Sequence, residues 1–233
     1  MVELADVRAP KAILFDIGGT VLDERRYDLE AGVRSVVKRE TDVAEICREF
    51  RAEVRDKHAV DREVDLSRWL TERVSLRDDI TTLEDSLWDA IATLVPVPGV
   101  EAVLRRLKSD LVPFAAISNA PFCGRILEAN LEKYGLRSYF QFVVSSADVG
   151  FRKPSAAIFE TALSRLGVKA EQTWFIGDTL REDIAGAAKV GLQPIWISRN
   201  PDEPGMEYTG VRIRDWSEFM SVYEAAIAGK ATG

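Results

Sequence analysis

The stretch "FDIGGTVLD", residues 15–23, decides how this chain is read. It completes an apolar run, "KAILFD" (11–16), and sets Asp16 ahead of two glycines and a threonine. Two phosphate chemistries begin this way. In one, the aspartate is a nucleophile that itself becomes phosphorylated. In the other, the glycines turn a hairpin beneath a nucleotide phosphate. The residues that follow separate them.

Four later runs share the character of the first: "PFAAISN" (113–119), "FQFVVSS" (140–146), "TWFIGD" (173–178) and "QPIWIS" (193–198). Short apolar runs without alternation suit strands buried on both faces, hence a parallel sheet. Between them lie segments of helical period. "PFCGRILEANLEKYGL" puts Ile126, Leu127, Leu131 and Tyr134 on one stripe and stops at Gly135. "PSAAIFETALSRLGV" does the same with Ile158, Phe159, Ala162, Leu163 and Leu166 before Gly167, and "LREDIAGAAKVGL" closes at Gly191. A glycine just past an apolar stripe is a helix stop. The rhythm predicts an α/β fold, a doubly wound parallel, Rossmann-like sheet.

The rhythm breaks after the first run. From Glu24 to Val95 no strand-like run occurs, and the region is charged and helical in period. "VAEICREFRAEVRDKH" spaces Val43, Ile46, Cys47, Phe50 and Val54 as one helix face, and "LSRWLTERVSL" and "LEDSLWDAIATLV" follow. "PVPGVEAVLRRLK" then marks the return to the sheet. The expected organisation is a core of residues 1–23 and 96–233 with an inserted all-helical cap domain, 24–95. "RNPDEPGMEYTG" (199–210) reads as a polar loop, and "DWSEFMSVYEAAIAG" as a closing helix with Asp215 near its N-cap.

Composition bounds the function. The 233 residues are 46% hydrophobic and 30% charged with a net charge of −7, which opposes bulk nucleic-acid binding. No run has the length of a membrane span, and the N-terminus lacks the basic and apolar segments of a signal peptide. Cys47 and Cys123 make neither a disulfide framework nor a four-cysteine zinc site and fit a cytoplasmic protein. The single histidine, His58, stands in a charged stretch and reads as surface, which argues against a histidine triad or a multi-histidine metal site. Trp69 and Trp88 read as core of the insert, Trp174 and Trp196 as core of the sheet, and Cys123 as a small core residue.

In a doubly wound sheet, ligands bind beyond the C-terminal strand ends. There stand Asp16, Ser118 with Asn119, and Gly177 with Asp178, while Lys153 precedes a helix in "GFRKPS". Two carboxylates can hold Mg²⁺, a lysine neutralises phosphoryl oxygens, and an aspartate can attack phosphorus. In order, "FDIGGTVLD", "ISNA", "RKP" and "GDTLREDIAGA" resemble the four motifs of the haloacid dehalogenase superfamily, in its subclass with a helical cap after the first strand. The resemblance covers nearly the whole chain. It implies Asp16 as nucleophile, Gly19, Thr20, Ser118 and Asn119 as contacts to substrate and bracing of the nucleophile loop, and Lys153 as charge stabiliser. It implies Asp16, the Gly18 carbonyl, Asp178 and Asp183 around Mg²⁺, a small phosphorylated substrate, and a mobile cap that selects it. The hairpin alternative, as in sugar kinases of the actin-like class, requires an antiparallel strand after "DIGGT" and two such domains; a helical insert in a chain this short excludes it.

One position departs from the pattern. Phosphatases of the superfamily usually carry an aspartate two residues after the nucleophile, as general acid and base, and here that position is Gly18. General acid–base catalysis is typically worth about 10²–10⁴ in rate. Three readings stay open: a phosphatase restricted to good leaving groups or borrowing an acid, a 2-haloacid dehalogenase, and a non-catalytic phosphate-binding regulator. For the first, Asp23 and Glu24 are candidate acids, against a plainer reading as a helix-entry cap. The second needs a cap arginine, with Arg25, Arg26 and Arg34 available, but leaves the Asp178–Asp183 metal carboxylates unexplained. A phosphonatase-like variant would need a cap lysine, for which Lys38 and Lys57 lie on strongly charged helices.

Overall fold

The structure, a computed structural model, describes residues 7–38, 41–74, 76, 80–198 and 210–230. Six parallel strands form its centre: β1 (Ala12–Phe15), β4 (Phe114–Ser118), β5 (Val143–Ser145), β6 (Thr173–Gly177), β7 (Gln193–Ile197) and β8 (Val211–Ile213). Their order is β5-β4-β1-β6-β7-β8, so successive crossovers run outward to both sides of β1. Every residue of β1, β4, β5 and β6 is buried, as the unalternating runs require. Along β1, Ile13 and Phe15 face one apolar layer and Leu14 the other. In the first layer Phe15, Phe114 and Phe140 meet edge to face, with ring centroids 5.3–5.9 Å apart. α10 (Trp216–Lys230) closes it with Trp216, Phe219 and Tyr223, and its first turn is capped by Asp215, whose carboxylate accepts from the Ser217 and Glu218 amides.

Helices α5 (Val100–Ser109), α6 (Gly124–Lys133), α7 (Ser146–Val149), α8 (Ala156–Leu166) and α9 (Gly186–Lys189) connect the strands. The predicted stripes of α6 and α8 are buried or partly so, except Tyr134, which is exposed and donates its hydroxyl to the Leu94 carbonyl. The segment read as one helix from Leu180 begins as a π-helical turn, Leu180–Ala185, before α9. Of the loop 199–210, all but the last residue lies outside the described residues.

The insert holds α1 (Leu29–Val36), α2 (Val43–His58), α3 (Leu66–Arg73) and α4 (Ile80–Ile91). Asp28, Asp42 and Asp65 cap the first three of these. The insert is not helical to its ends, however. β2 (Leu22–Tyr27) and β3 (Ala92–Pro96) pair antiparallel across the expected boundaries at 23/24 and 95/96. "LDERRY" carries no apolar alternation and "ATLVP" continues a helical pattern, so only cross-strand pairing reveals this ribbon. Asp23 and Glu24 therefore lie in a strand, and the helix cap is Asp28. Trp69 and Trp88 are buried as expected, and Trp88 meets Phe122 of the core edge to face at 5.1 Å. One apolar cluster runs from β1 into the insert.

Candidate functional site

The register of β1 places the chemistry. Phe15 pairs with Ala116 on one side and Ile176 on the other, and the Asp16 amide donates to the Ile176 carbonyl at 2.8 Å. Asp16 thus leaves the sheet between the ends of β4 and β6, where strand order reverses and ligands bind. The chain then turns tightly, with the Val21 and Leu22 amides both donating to the Ile17 carbonyl at 2.9 Å. Gly19 sits in this turn at φ +70°, and a Cβ there would lie 2.0 Å from Asp178 Oδ2. Glycine is required by both backbone and neighbour. Gly18 is the opposite case: a Cβ there would meet nothing within 4 Å.

A cavity of about 150 Å³ opens at this edge, walled by Asp16, Gly18, Ser118, Asn119, Lys153, Asp178 and Asp183. Seven of the nine site residues expected from sequence therefore converge on it. Gly19 and Thr20 do not line it, although Gly19 lies against the Asp178 carboxylate that does. The Thr20 hydroxyl is buried without a hydrogen-bond partner, so the loop is held by its backbone rather than by that side chain. Arg152, Thr179 and Glu182 complete the wall. The sequence reading assigned them no role, although each adjoins or falls within a quoted motif. A larger cavity, about 580 Å³, lies on the insert and is lined by Tyr27, Phe50, Arg51 and Arg55 among others, but it contains no cluster of converging carboxylates.

Lys153 organises the acidic wall. Its Nζ lies 2.6 Å from Asp16 Oδ1 and 2.6 Å from Asp183 Oδ1, wholly buried. Asn119 clasps the lysine's backbone, donating through Nδ2 to the Lys153 carbonyl at 3.0 Å and accepting the Lys153 amide on Oδ1 at 2.8 Å. Ser118 and Asn119 thus end a strand and secure a loop, whereas the helix that follows starts only at Gly124. Asp183 is brought in by the π-helical turn, takes the Thr179 amide on Oδ2, and packs where a Cβ on Gly177 would be 2.4 Å from its Cγ.

Oxygens of Asp16, Asp178 and Asp183 all lie within 4.8 Å of one another. Burial lifts Asp16 above the ordinary carboxylate range; Lys153 opposes this, and the charges of Asp183 and Asp178 add to it. Asp178 is pushed up to about 6 by burial and by Asp183. Burial works against a charged Lys153, but Asp16 and Asp183 more than offset it and hold it protonated. Three crowded carboxylates face a single lysine, so their full ionisation requires further positive charge. An all-oxygen donor set of this kind fits a hard divalent cation.

Neither Asp23 nor Glu24 borders the cavity, nor does any of Arg25, Arg26, Arg34, Lys38 and Lys57. The arginine that does, Arg152, comes from the core. His58 is no free surface group: it bonds Glu63 and touches the Arg152 guanidinium. Cys123 is half-buried, with its thiol 3.4 Å from Glu84 Oε2. Among the described residues, no helix is long and apolar enough to cross a membrane.

A parallel α/β sheet with carboxylates converging beyond its central strand is a Rossmann-like fold with an acidic site where the strand order reverses. A family model described as haloacid dehalogenase-like hydrolase matches residues 10–191. The chain belongs to that family. It is 29% identical over 208 residues to a glyceraldehyde 3-phosphate phosphatase of Methanopyrus kandleri, covering 81% of this chain and 84% of that one. It is 32% identical over 130 residues to a ribulose-1,5-bisphosphate 5-phosphatase of Halopiger xanaduensis, where the match spans 55% of this chain and 54% of the relative. Against several curated relatives the chain spans only about half their length. Among solved structures, a phosphatase of the family from Thermococcus onnurineus superposes with a TM-score of 0.63 at 25% identity, covering 91% of this chain and 96% of that one. A 2-haloacid dehalogenase from Pseudomonas syringae pv. tomato shares the fold, with a TM-score of 0.66 at 21% identity over 94% of this chain and 99% of that one.

Proposed function

We propose that the protein is a Mg²⁺-dependent phosphatase of small phosphorylated metabolites that works through an aspartyl-phosphate on Asp16. The observation that carries this reading is the buried bridge of Lys153 between Asp16 and Asp183, with three carboxylates within 4.8 Å. The core, 1–23 and 96–233, supplies the chemistry, and the insert, 24–95, acts as the cap over it.

Asp16, Asp178 and Asp183, with the backbone of Gly18, would hold the cation, which when bound neutralises phosphoryl oxygens and the crowded carboxylates. Asp16 Oδ attacks phosphorus, the new O–P bond forms, and the ester O–P bond breaks. Lys153 keeps Asp16 oriented and balances charge on the transferred group, while Ser118 and Asn119 offer hydrogen bonds to it. Water then cleaves the acyl phosphate and returns Asp16 as carboxylate. Gly18 supplies no proton to the departing oxygen, so the substrates best served are acyl and aryl phosphates, whose leaving groups need none. The similarity to phosphatases along the chain supports this reading over the dehalogenase one.

The test compares an aryl phosphate, acetyl phosphate and a 2-haloacid, each with Mg²⁺ and with chelator. Phosphate release that requires Mg²⁺ is the expected result. Halide release that persists under chelation overturns the proposal in favour of a dehalogenase. Binding of a phosphate analogue without any turnover overturns it in favour of a regulator.

A further inference from the structure

Besides the packing and salt bridges along α4, two segments join the insert to the core. The ribbon of β2 and β3 is the covalent connection. Residues 58–66 make the second, through backbone alone in three places: the Arg152 amide donates to the Asp61 carbonyl at 3.0 Å, the Glu63 amide to Gly150 at 3.2 Å, and the Leu66 amide to Pro121 at 3.0 Å. The Arg62 guanidinium lies over the Phe151 ring, 3.8 Å from its centre.

At the middle of this contact is a carboxylate that the proposed chemistry does not use. The Glu63 side chain is 3% exposed. Its Oε2 accepts the Ser146 hydroxyl at 2.7 Å, and its Oε1 accepts the Val64 amide at 3.0 Å and faces His58 Nε2 at 3.0 Å. Ser146 Oγ in turn accepts the Ala120 amide at 2.9 Å. Ala120 follows Asn119, whose carboxamide clasps the Lys153 backbone. From the other side, His58 touches Arg152, the residue before Lys153. Two short paths thus lead from one buried carboxylate of the insert to the lysine between Asp16 and Asp183.

We propose that Glu63 is a positioning residue that couples docking of the insert to the placement of Lys153. A buried carboxylate is tolerated only while its hydrogen bonds are made. The Ser146 bond joins insert to core, so it exists only when residues 58–66 are docked. With the insert withdrawn, Glu63 returns to water and the segment 146–153 loses its clamp. Docking therefore completes the site as well as covering it. The inference rests on the function proposed above.

The experiment uses the full chain with Mg²⁺ and an aryl phosphate, comparing Glu63→Ala, Glu63→Gln, Ser146→Ala and the Glu63→Ala/Ser146→Ala pair. The expected result is a fall in kcat of roughly 10–100-fold for Glu63→Ala, with KM changed less than about threefold. The double variant is no more than about twofold worse than Glu63→Ala, since both break one path. Glu63→Gln, which keeps an acceptor for Ser146, recovers kcat to within about fivefold of the native protein. Amide exchange rises across 146–153 in Glu63→Ala and Ser146→Ala but not in the central strands. A change confined to KM, multiplicative losses in the double variant, or unchanged exchange at 146–153 overturns the inference. If Glu63→Ala does not fold, Ser146→Ala reads the same path from the core side. If the native protein hydrolyses no phosphate ester, it is the proposed function that has failed, and the exchange measurement then judges the coupling by itself.

Discussion

The strand-end cavity and the insert are built on opposite plans. At the cavity, polar groups are buried and mutually fixed: Lys153 bridges two carboxylates and Asn119 holds the lysine's backbone from both sides. On the insert, most charged groups face solvent and pair loosely, as Arg51 with Glu30 at 4.0 Å and Lys57 with Glu53 at 3.8 Å. The first plan is intolerant of change, because each lost partner leaves an uncompensated buried charge. The second is tolerant, because exposed pairs contribute about 0–1 kcal/mol.

The largest effect expected from breaking this contrast is on Asp16. Asp16→Asn removes the attacking oxygen while leaving a side chain of the same shape, so turnover of an aryl phosphate falls by at least about 10³-fold. Circular dichroism should show a folded protein, and a smaller loss would refute the nucleophile assignment.

Gly18→Asp comes next. The position is open, and its backbone needs no positive φ, so an aspartate can enter without displacing a neighbour. If the missing acid limits the rate, alkyl phosphate hydrolysis rises about 10–100-fold, as general acid–base catalysis allows, while aryl hydrolysis changes little. Equal gains on both substrates, or none on either, would place the proton donor elsewhere.

Thermal melts sharpen the electrostatic half of the comparison. Burial raises Asp178 to about 6 and also raises Asp16, so the folded metal-free protein holds these protons more tightly than the unfolded chain. That stabilisation is complete below the ordinary carboxylate range and is lost as pH climbs through 6 and beyond. The metal-free Tm contribution of these groups therefore declines from pH 5 to pH 8. Mg²⁺ should raise Tm more at pH 8 than at pH 5, because it binds the ionised carboxylates. An equal shift at both values would mean that the cation binds elsewhere.

The smallest effect belongs to the exposed rim between insert and core. Arg125 of α6 reaches Glu84 at 3.0 Å and Asp85 at 2.8 Å on α4, across the boundary between insert and core. Arg125 is nearly half exposed, so Arg125→Ala should cost less than about 1 kcal/mol and leave kcat unchanged. A large loss of activity here would show that the rim, and not only residues 58–66, holds the insert in place.

Much of this was legible in the chain. Runs such as "FAAI" and "WFI", apolar at every position, announce strands covered on both faces, and the residues that end them are by topology the ones that meet a ligand. Asp16, Ser118, Asn119 and Asp178 were found in this way, whereas Lys153 was read from a loop before a helix and Asp183 only from the resemblance to a family motif. The β2–β3 ribbon was not legible, because its stability lies in pairing between segments that are more than sixty residues apart in sequence. That Gly19 and Thr20 do not line the cavity was not legible either, because a motif gives neighbours along the chain but not which way a turn folds them.

Sequence alone settled the class of fold, the identity of the strand-end acids and the lysine, and the absence of an acid at Gly18, because these depend on local pattern and on residue type. Only the tertiary structure decided that Lys153 bridges two carboxylates, that Gly19 yields its space to Asp178, and that Glu63 of the insert lies buried against Ser146. Those facts concern distances between segments brought together by packing. Such distances are fixed by the burial of the whole apolar cluster rather than by any one stretch of chain.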